Sequence, residues 1–239
     1  MGLALTNEEL SYALQLRLGH IDMDATYSCT STLSHDKERS GLDLLKCKRW
    51  GKARHDALAE ATAYMARRAG LHPTREPVGV LQDGTRKRPG DIILPTFSRG
   101  AVTALDFCVT NNKQAILLDK PLLPPGRAAR LGFDQKLRKW RDPCARVGIK
   151  FIPMSVDVYG YWHPDSLGVY YEMAKRRADF TDRDPDTEYK YMVQLISLIL
   201  QRENARILIN HKQRPQLDQD DETEGDMALL SEDEAAPAG

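Results

Sequence analysis

The fold of this chain is decided by the stretch Arg88-Pro-Gly-Asp-Ile-Ile-Leu-Pro-Thr-Phe-Ser-Arg-Gly-Ala-Val-Thr-Ala-Leu-Asp-Phe-Cys-Val-Thr110. Pro89-Gly90 and Ser98-Arg99-Gly100 are turn sequences, and we predict strands after them at about 90–95 and 101–110. The second strand is apolar at nearly every position except Asp106. A carboxylate inside an otherwise buried strand is costly to place without a partner or a metal.

Helical and extended patterns alternate on both sides of these strands. Upstream, a capping box at Thr6-x-x-Glu9 opens a short helix at about 8–18, and a longer helix at about 53–69 ends at Gly70. The apolar stripe predicted for the short helix consists of Leu10, Ala13, Leu14 and Leu18. The remaining predicted elements are a strand at about 75–81, a helix at 127–147, a strand at 150–159, and helices at 165–179 and 186–211.

The order of these elements indicates the fold class. From the helix at 53–69 onward it reads α, β, β, β, α, β, α, α, with three strands joined by short turns and a helical crossover to the fourth. This order predicts an α/β fold in which a mixed sheet is flanked by helices.

Charge is distributed unevenly, although the 34 basic and 34 acidic residues balance over the 239-residue chain. Residues 215–239 contain nine acidic residues and no Lys or Arg; subtracting them leaves 25 acidic against 34 basic residues in 1–214. A basic body favours a nucleic-acid partner, here DNA, and a solvated surface is the alternative. The acidic segment at about 213–239 cannot bury enough apolar surface to order itself, so we expect it to be disordered.

Several protein classes are disfavoured by composition. No apolar run approaches the roughly 20 residues of a membrane span, and the N-terminus does not resemble a signal peptide. Four cysteines spread over the chain do not make a disulfide framework. We therefore expect an intracellular protein, with the nucleus as one location, and no membrane partner; the sequence leaves the oligomeric state open.

Two carboxylates carry the candidate chemistry. Asp91 enters one predicted strand and Asp106 lies in the middle of the next, so pairing of the strands would let the two approach each other. Two carboxylates with room for water form a hard oxygen site suited to Mg²⁺ or Mn²⁺. Such an ion polarises a phosphodiester and lowers the pKa of an attacking water. A nearby Lys would stabilise the negative charge of the transition state.

Three further segments carry a resemblance to a known family: Leu45-Lys-Cys-Lys-Arg-Trp-Gly-Lys-Ala-Arg-His-Asp-Ala-Leu58, Gln135-Lys-Leu-Arg-Lys-Trp140, and Gly148-Ile-Lys-Phe-Ile-Pro153 through Tyr159-Gly160. With the order of elements, they resemble the PD-(D/E)XK restriction-like endonuclease domain of non-LTR retrotransposons. The resemblance spans roughly 45–162, about half the chain. Nothing in the sequence resembles the reverse transcriptase of such elements.

The resemblance implies a set of catalytic residues. Asp91 and Asp106 match the acidic pair that binds the metal, and Glu76 and Glu60 are lesser candidates for a third carboxylate. Two residues after Asp106, the general superfamily pattern has Lys where this chain has Cys108. In the retrotransposon-type nucleases the Lys has moved to the following helix, which points to Lys136, with Lys139 as the alternative.

Basic residues near these segments are candidate nucleic-acid contacts: Lys48, Arg49, Lys52, Arg54, His55 and Arg88. Arg54 and His55 stand near a predicted helix start, where they would contact phosphate or cap and solvate the helix. A zinc site formed by Cys29, His35, Cys47 and His55 is a further alternative. Its spacings of 6, 12 and 8 match no compact zinc-finger pattern.

The sequence therefore predicts four regions: an N-terminal helix and polar loop (1–44), an endonuclease-like core (45–162), extra C-terminal helices (163–212) and an acidic tail (213–239). The function that the resemblance implies is a metal-dependent DNA endonuclease-like domain derived from a retroelement. The alternative is a catalytically inactive nucleic-acid-binding or protein-interaction module that retains the fold.

Overall fold

The computed structural model describes residues 4–18, 44–45, 48–84, 86–98, 100–111 and 126–212. These residues form an α/β fold with one mixed sheet, as predicted. The described helices are α1 (Asn7–Leu18), α2 (Lys48–Arg68), α3 (Arg127–Arg146), α4 (Pro164–Thr181) and α5 (Pro185–Lys212). The described strands are β1 (Thr74–Arg75), β2 (Ile92–Ser98), β3 (Ala101–Thr110) and β4 (Lys150–Asp157).

The sheet has the strand order β1-β2-β3-β4. The first three strands are antiparallel neighbours, and β4 runs parallel to β3, in register from Thr103 opposite Lys150 to Thr110 opposite Asp157. Because two parallel neighbours need a crossover connection, α3 carries the chain back along the sheet between them. The predicted hairpin of β2 and β3 is therefore present, and it brings the Asp91 end of β2 next to the middle of β3.

The two faces of the sheet have different cores. The larger core, on one face, packs α2, α4 and α5 against strand side chains that include Leu105 and Phe107. The smaller core, on the other face, contains Ala104 of β3 with Trp140 and Cys144 of α3. Since successive side chains of a strand point to opposite faces, Asp106 shares the α3 face with Ala104.

The strand predicted at 75–81 is wrong beyond its first residue, because β1 covers only Thr74–Arg75. Glu76 and Gly79 have positive φ values of 44° and 74°, and Pro77 lies between them. A left-handed backbone does not continue a strand, and Pro77 has no N–H to donate to a neighbouring strand. Apolar residues in this segment therefore belong to turns and not to a longer strand.

The N-terminal helix α1 confirms the predicted capping box. The main-chain N–H of Thr6 donates to Glu9 Oε2 at 2.9 Å, and the N–H of Glu9 donates to Thr6 Oγ1 at 3.1 Å. The predicted apolar stripe is wrong, since only one of its four residues, Ala13, is buried. Glu9 and Leu16 are also buried, because Arg206 of α5 pairs with Glu9 and Leu16 packs into a core cluster with α5.

Two other sequence-based expectations fall outside the described residues. They are the predicted polar loop at about 26–41 and the predicted disordered tail at 213–239. None of the described helices has the length and apolar character that crossing a membrane requires.

The packing of α4 on α5 encloses a buried ion pair. Arg177 Nε lies 2.6 Å from Glu188 Oε2, and the side chains are 9% and 1% exposed. Removing one member of a buried pair strands the other charge, which typically costs about 3–5 kcal/mol. An apolar pair of similar volume avoids that cost.

Arg177→Met should therefore lower the free energy of unfolding by about 3 kcal/mol, measured by urea denaturation, and Arg177→Met/Glu188→Leu should recover most of the loss. Lys175→Met is the matched control, because it removes the cation of a pair with Glu172 in which both side chains are about half exposed. The control should leave the free energy of unfolding nearly unchanged, because exposed pairs contribute little. Equal losses for Arg177→Met and Lys175→Met would contradict the interpretation.

Candidate active site

The central residue of the site is Asp106, in the middle of β3. Asp106 is 6% exposed, and the ammonium of Lys136 on α3 lies 2.7 Å from its Oδ2 atom. The contact is a buried ion pair, and no other donor to Oδ2 lies within hydrogen-bond distance in the described part of the chain. The crossover helix thus supplies a cation to the buried strand carboxylate.

Asp91 lies at the bulged start of β2, beside the backbone that follows Asp106. Ile92 is opposite Leu105 in the ladder, and the N–H of Asp91 also donates to the Leu105 carbonyl at 2.8 Å. Two consecutive residues facing one are a β-bulge, which re-aims a side chain. The carboxylate of Asp91 accepts a 2.7 Å hydrogen bond from the N–H of Phe107.

Glycine at position 90 allows this bulge to lie close to β3. A Cβ added to Gly90 would stand 3.0 Å from the carbonyl oxygen of Leu105 and 3.2 Å from the Cβ of Ala104. A side chain would have to push against main-chain atoms of the sheet. The Pro-Gly turn in front of Asp91 is therefore required for the approach of the two strands.

His55 reaches Asp91 from α2, on the opposite face of the sheet from α3. Its Nε2 lies 3.1 Å from Asp91 Oδ2, and its Nδ1 lies 3.3 Å from Oδ1 of Asp56. The ring also meets Phe107 edge-on, with centroids 6.3 Å apart. A histidine held between two carboxylates is fixed in orientation, so it holds the Asp91 side chain in place.

The environments of the two aspartates separate their acidities. Burial raises the pKa of Asp106 to about 6, against the attraction of Lys136, and the charge of Asp91 raises it further. Burial acts in the same direction on Asp91, but hydrogen bonds from His55 and the Phe107 N–H outweigh it and lower the pKa of that carboxyl. The surroundings of Asp91 thus stabilise its ionised form, while burial destabilises the ionised form of Asp106.

Neighbouring carboxylates raise the pKa values of both His55 and Lys136. Burial lowers the pKa of His55, but hydrogen bonding to Asp91 and Asp56 outweighs it, so the net shift is upward. Burial likewise opposes the charge of Lys136, but the attraction of Asp106 outweighs it and raises the pKa of the ammonium. Lys136 is therefore a permanent cation beside the carboxylates at neutral pH.

The structure separates the remaining catalytic candidates from this cluster. The ammonium of Lys139 lies 4.9 Å from the ring centroid of Trp140, so the two alternative lysines have different surroundings. Glu60 pairs with Arg67 at 2.8 Å on the exposed surface of α2. Glu76 pairs with Arg88 at 2.7 Å, also on the surface. Of the predicted catalytic residues, Asp91, Asp106 and Lys136 come together.

The predicted nucleic-acid contacts are placed differently from one another. Arg54 is 5% exposed, and its guanidinium donates to Asn204 Oδ1 at 2.8 Å and to the Leu45 carbonyl at 3.0 Å. Arg54 therefore ties α2 to α5 and lacks the exposure that a phosphate contact needs. Lys52 is exposed and pairs with Asp56, and Arg88 is exposed three residues before Asp91. The side chains of Lys48 and Arg49 lie outside the described part.

The zinc alternative falls largely outside the described residues, since Cys29, His35 and Cys47 are not among them. The fourth predicted ligand, His55, is described and is engaged by Asp91 and Asp56. Within the described ranges, no group of three or more His, Cys, Asp or Glu side chains is arranged to hold a metal ion.

Two contributors to the site were not predicted from the sequence. Asp56 orients His55, and its place beside His55 in the Arg-His-Asp segment was a usable signal. Ser155 of β4 donates from Oγ to the Ala129 carbonyl of α3 at 2.7 Å and accepts from Cys108 Sγ at 3.1 Å. No local pattern marks Ser155, because its role depends on the parallel pairing of β4 with β3.

The chemistry of Asp91 and Asp106 fits a hard divalent cation. Both offer carboxylate oxygens, the ligand type that Mg²⁺ and Mn²⁺ prefer. The second carboxylate oxygen of each, Oδ1, receives no hydrogen bond within the described ranges. Burial raises the pKa of Asp106 despite the nearby ammonium of Lys136, and a bound cation would favour its ionised form.

Comparison with known proteins adds no identification. The chain matches no protein-family model, and a search of curated proteins finds no significant match. The interpretation of the site therefore depends on the geometry of its residues and on the resemblance described above.

Replacing Lys136 by Met should raise the pKa of the Asp106 carboxyl above its value of about 6 in metal-free buffer. The removed ammonium favours the ionised form, so its loss makes the proton harder to remove. Lys139→Met should leave that pKa unchanged, because its ammonium lies over Trp140. Carboxyl ¹³C NMR from acidic to mildly alkaline pH measures the titration, with Asp106→Asn assigning the resonance. Equal shifts in both lysine variants would contradict the assignment of Lys136.

Proposed function

We propose that this protein is a metal-dependent DNA endonuclease-like domain that hydrolyses phosphodiesters and derives from a retroelement. The observation that supports the proposal best is the ammonium of Lys136, 2.7 Å from Oδ2 of Asp106. It stands next to two acidic side chains on neighbouring strands, and it comes from the helix that follows the second of them. That is the arrangement implied by the resemblance to restriction-like nucleases of non-LTR retrotransposons.

The position of the cation accounts for the departure at Cys108. In the general superfamily pattern the Lys stands two residues after the strand aspartate, on the same face of the strand. Here Cys108 occupies that position and donates to Ser155. Lys136 approaches the same aspartate from α3, so the positive charge is retained although its place in the sequence differs.

The residues have separate roles in the proposed reaction. Asp91 and Asp106 would hold Mg²⁺ or Mn²⁺, and the bound ion supplies polarisation of the phosphodiester and a lower pKa for the attacking water. Lys136 stabilises the negative charge that develops on the phosphate. His55 fixes the carboxylate of Asp91 through Nε2 and takes its own orientation from Asp56.

DNA is the proposed partner because of charge. The chain outside its acidic C-terminal segment has 34 basic against 25 acidic residues, and cationic surfaces gain affinity by releasing counterions from phosphates. Lys52 and Arg88, three residues before His55 and Asp91, are exposed, and each pairs with a neighbouring carboxylate. An intracellular or nuclear location is consistent with this partner and stays a prediction.

A second candidate function is a catalytically inactive module that binds nucleic acid or protein and retains the fold. Two observations favour it. Cys108 stands in the general position of the catalytic Lys, and within the described residues no group of three metal-ligand side chains is assembled. The two functions differ in whether a divalent ion supports bond cleavage.

Purified protein should nick supercoiled plasmid DNA in Mg²⁺ or Mn²⁺ and not in EDTA. Asp106→Ala should abolish cleavage, and Lys136→Ala should lower kcat by about a hundredfold or more, since its charge acts on the transition state. DNA binding by Lys136→Ala should stay nearly unchanged, because one charge among many contributes little to the electrostatic attraction.

Lys139→Ala serves as the matched control, with the same loss of one α3 charge, and it should cut at the parental rate. Cleavage at the parental rate by Lys136→Ala would refute the role of that lysine. If the parent binds DNA but does not cut with either ion, the inactive module becomes the function that the structure supports.

A further inference from the structure

Gly132 of α3 lies directly against the sheet. A Cβ added there would lie 2.5 Å from Thr110 Cγ2, 3.0 Å from Ser155 Oγ and 3.2 Å from Cys108 Sγ. The first distance is shorter than any ordinary contact, and the other two are tight. The backbone of α3 therefore packs directly onto β3 and β4 at this residue, with no room for a side chain.

A glycine inside a 20-residue helix lowers helix stability, because its backbone loses more conformational freedom on folding than that of alanine. The glycines of the other helices do not share the packing of Gly132, since a Cβ on Gly51 of α2 or Gly168 of α4 would meet nothing within 4 Å. The tight contact is thus a local feature of α3.

A hydrogen-bonded bridge lies at the same level of the helix. Ser155 Oγ donates to the Ala129 carbonyl at 2.7 Å and accepts from Cys108 Sγ at 3.1 Å. Because Cys108 and Ser155 are opposite each other in the parallel pair, the bridge joins α3 to both strands about two turns before Lys136. Contact and bridge together fix the height of the helix above the sheet.

We propose that Gly132 is a positioning residue, which sets the approach of α3 so that the ammonium of Lys136, four residues further on, reaches Asp106. This inference rests on the proposed function for its catalytic consequence. Gly132 thus lets a lysine on the helix reach an aspartate on the strand. Cys108, the strand residue two positions after that aspartate, has an uncharged side chain and does not supply this cation. A helix held further away would place the ammonium short of Asp106.

The experiment moves one methyl group between two contacting residues. Gly132→Ala adds a methyl to the interface, and Thr110→Ser removes the Cγ2 atom that it would strike while keeping the hydroxyl that donates to the Val156 carbonyl. The parent, both single variants, the double variant and Gly168→Ala as control are compared. Gly168→Ala adds the same methyl to a helix with open space.

The first readout is kcat against KM in the plasmid nicking assay. Gly132→Ala should lower kcat by about tenfold or more with KM for DNA unchanged, since sub-ångström to ångström displacement of a catalytic group is enough. The double variant should recover most of the lost rate, and Thr110→Ser and Gly168→Ala should match the parent. An unchanged kcat in Gly132→Ala, or a rise in KM together with a fall in kcat that Thr110→Ser does not rescue, would overturn the inference.

The second readout does not depend on cleavage. A double-mutant cycle with Lys136→Met and Asp106→Asn measures, by chemical denaturation, how strongly the two side chains are coupled. The coupling should be present in the parent, lost with Ala at 132 and restored in the double variant. If the parent does not cut, the proposed nuclease function fails, while this cycle still decides the role of Gly132.

Equal coupling with Gly and Ala at 132 would overturn the inference. If Gly132→Ala does not fold, the double variant carries the test, and it should fold with the coupling intact. The inference would also be overturned if the double variant folds without the coupling or does not fold. Removing Thr110 Cγ2 should be sufficient to relieve the clash with the methyl group of Ala at position 132.

Discussion

The carboxylate of Asp106 lies in the middle of β3, almost fully buried, with the ammonium of Lys136 2.7 Å away. An ionised carboxylate in such a place is stable only if a cation and ordered polar groups compensate its lost hydration. Much of the local architecture supplies that compensation: the crossover that places α3 over β3 and the close contact at Gly132. The elevated pKa of Asp106 shows that the compensation is incomplete.

The site draws its polar groups from both faces of the sheet. Lys136 comes from α3 on one face, and His55 comes from α2 on the other. The bulge at Asp91 makes this possible, because it turns one carboxylate against the backbone of β3 while the neighbouring Ile92 stays in the core. A site assembled in this way holds its charged groups on regular elements, whose positions are set by packing and not by loop conformation.

The sequence predicted the elements that carry clear periodicity or turn residues. The helix that carries Lys136 and the strand that carries Asp106 lie within one residue of their predicted bounds, because glycines mark the turns beside them. The strand next to Asp91 begins at Ile92 and ends at Ser98, later than the predicted 90–95. The strand at 75–81 and the stripe of α1 were wrong, since Glu76 adopts a left-handed backbone and Arg206 draws Glu9 inward. Neither effect is visible in a local pattern.

The sequence also predicted only part of the candidate site. Its carboxylates were found from polar residues in apolar strands, and its lysine from a resemblance that left Lys136 and Lys139 open. The structure distinguishes the two, because only tertiary packing decides which helical residue faces Asp106. It also gives Arg54 a place between α2 and α5, where a basic residue at a helix start had suggested a phosphate contact. Burial of a charge cannot be inferred from its residue type.

The proposed function requires that Asp91 and Asp106 hold one divalent ion. The most direct measurement is the anomalous scattering of crystals grown with Mn²⁺. We expect one strong peak with a carboxylate oxygen of each aspartate at about 2.1 Å, the ligand distance expected of a small hard cation. A peak bound elsewhere, or none at saturating Mn²⁺ while His55 and Lys136 still engage the two carboxylates, would contradict it.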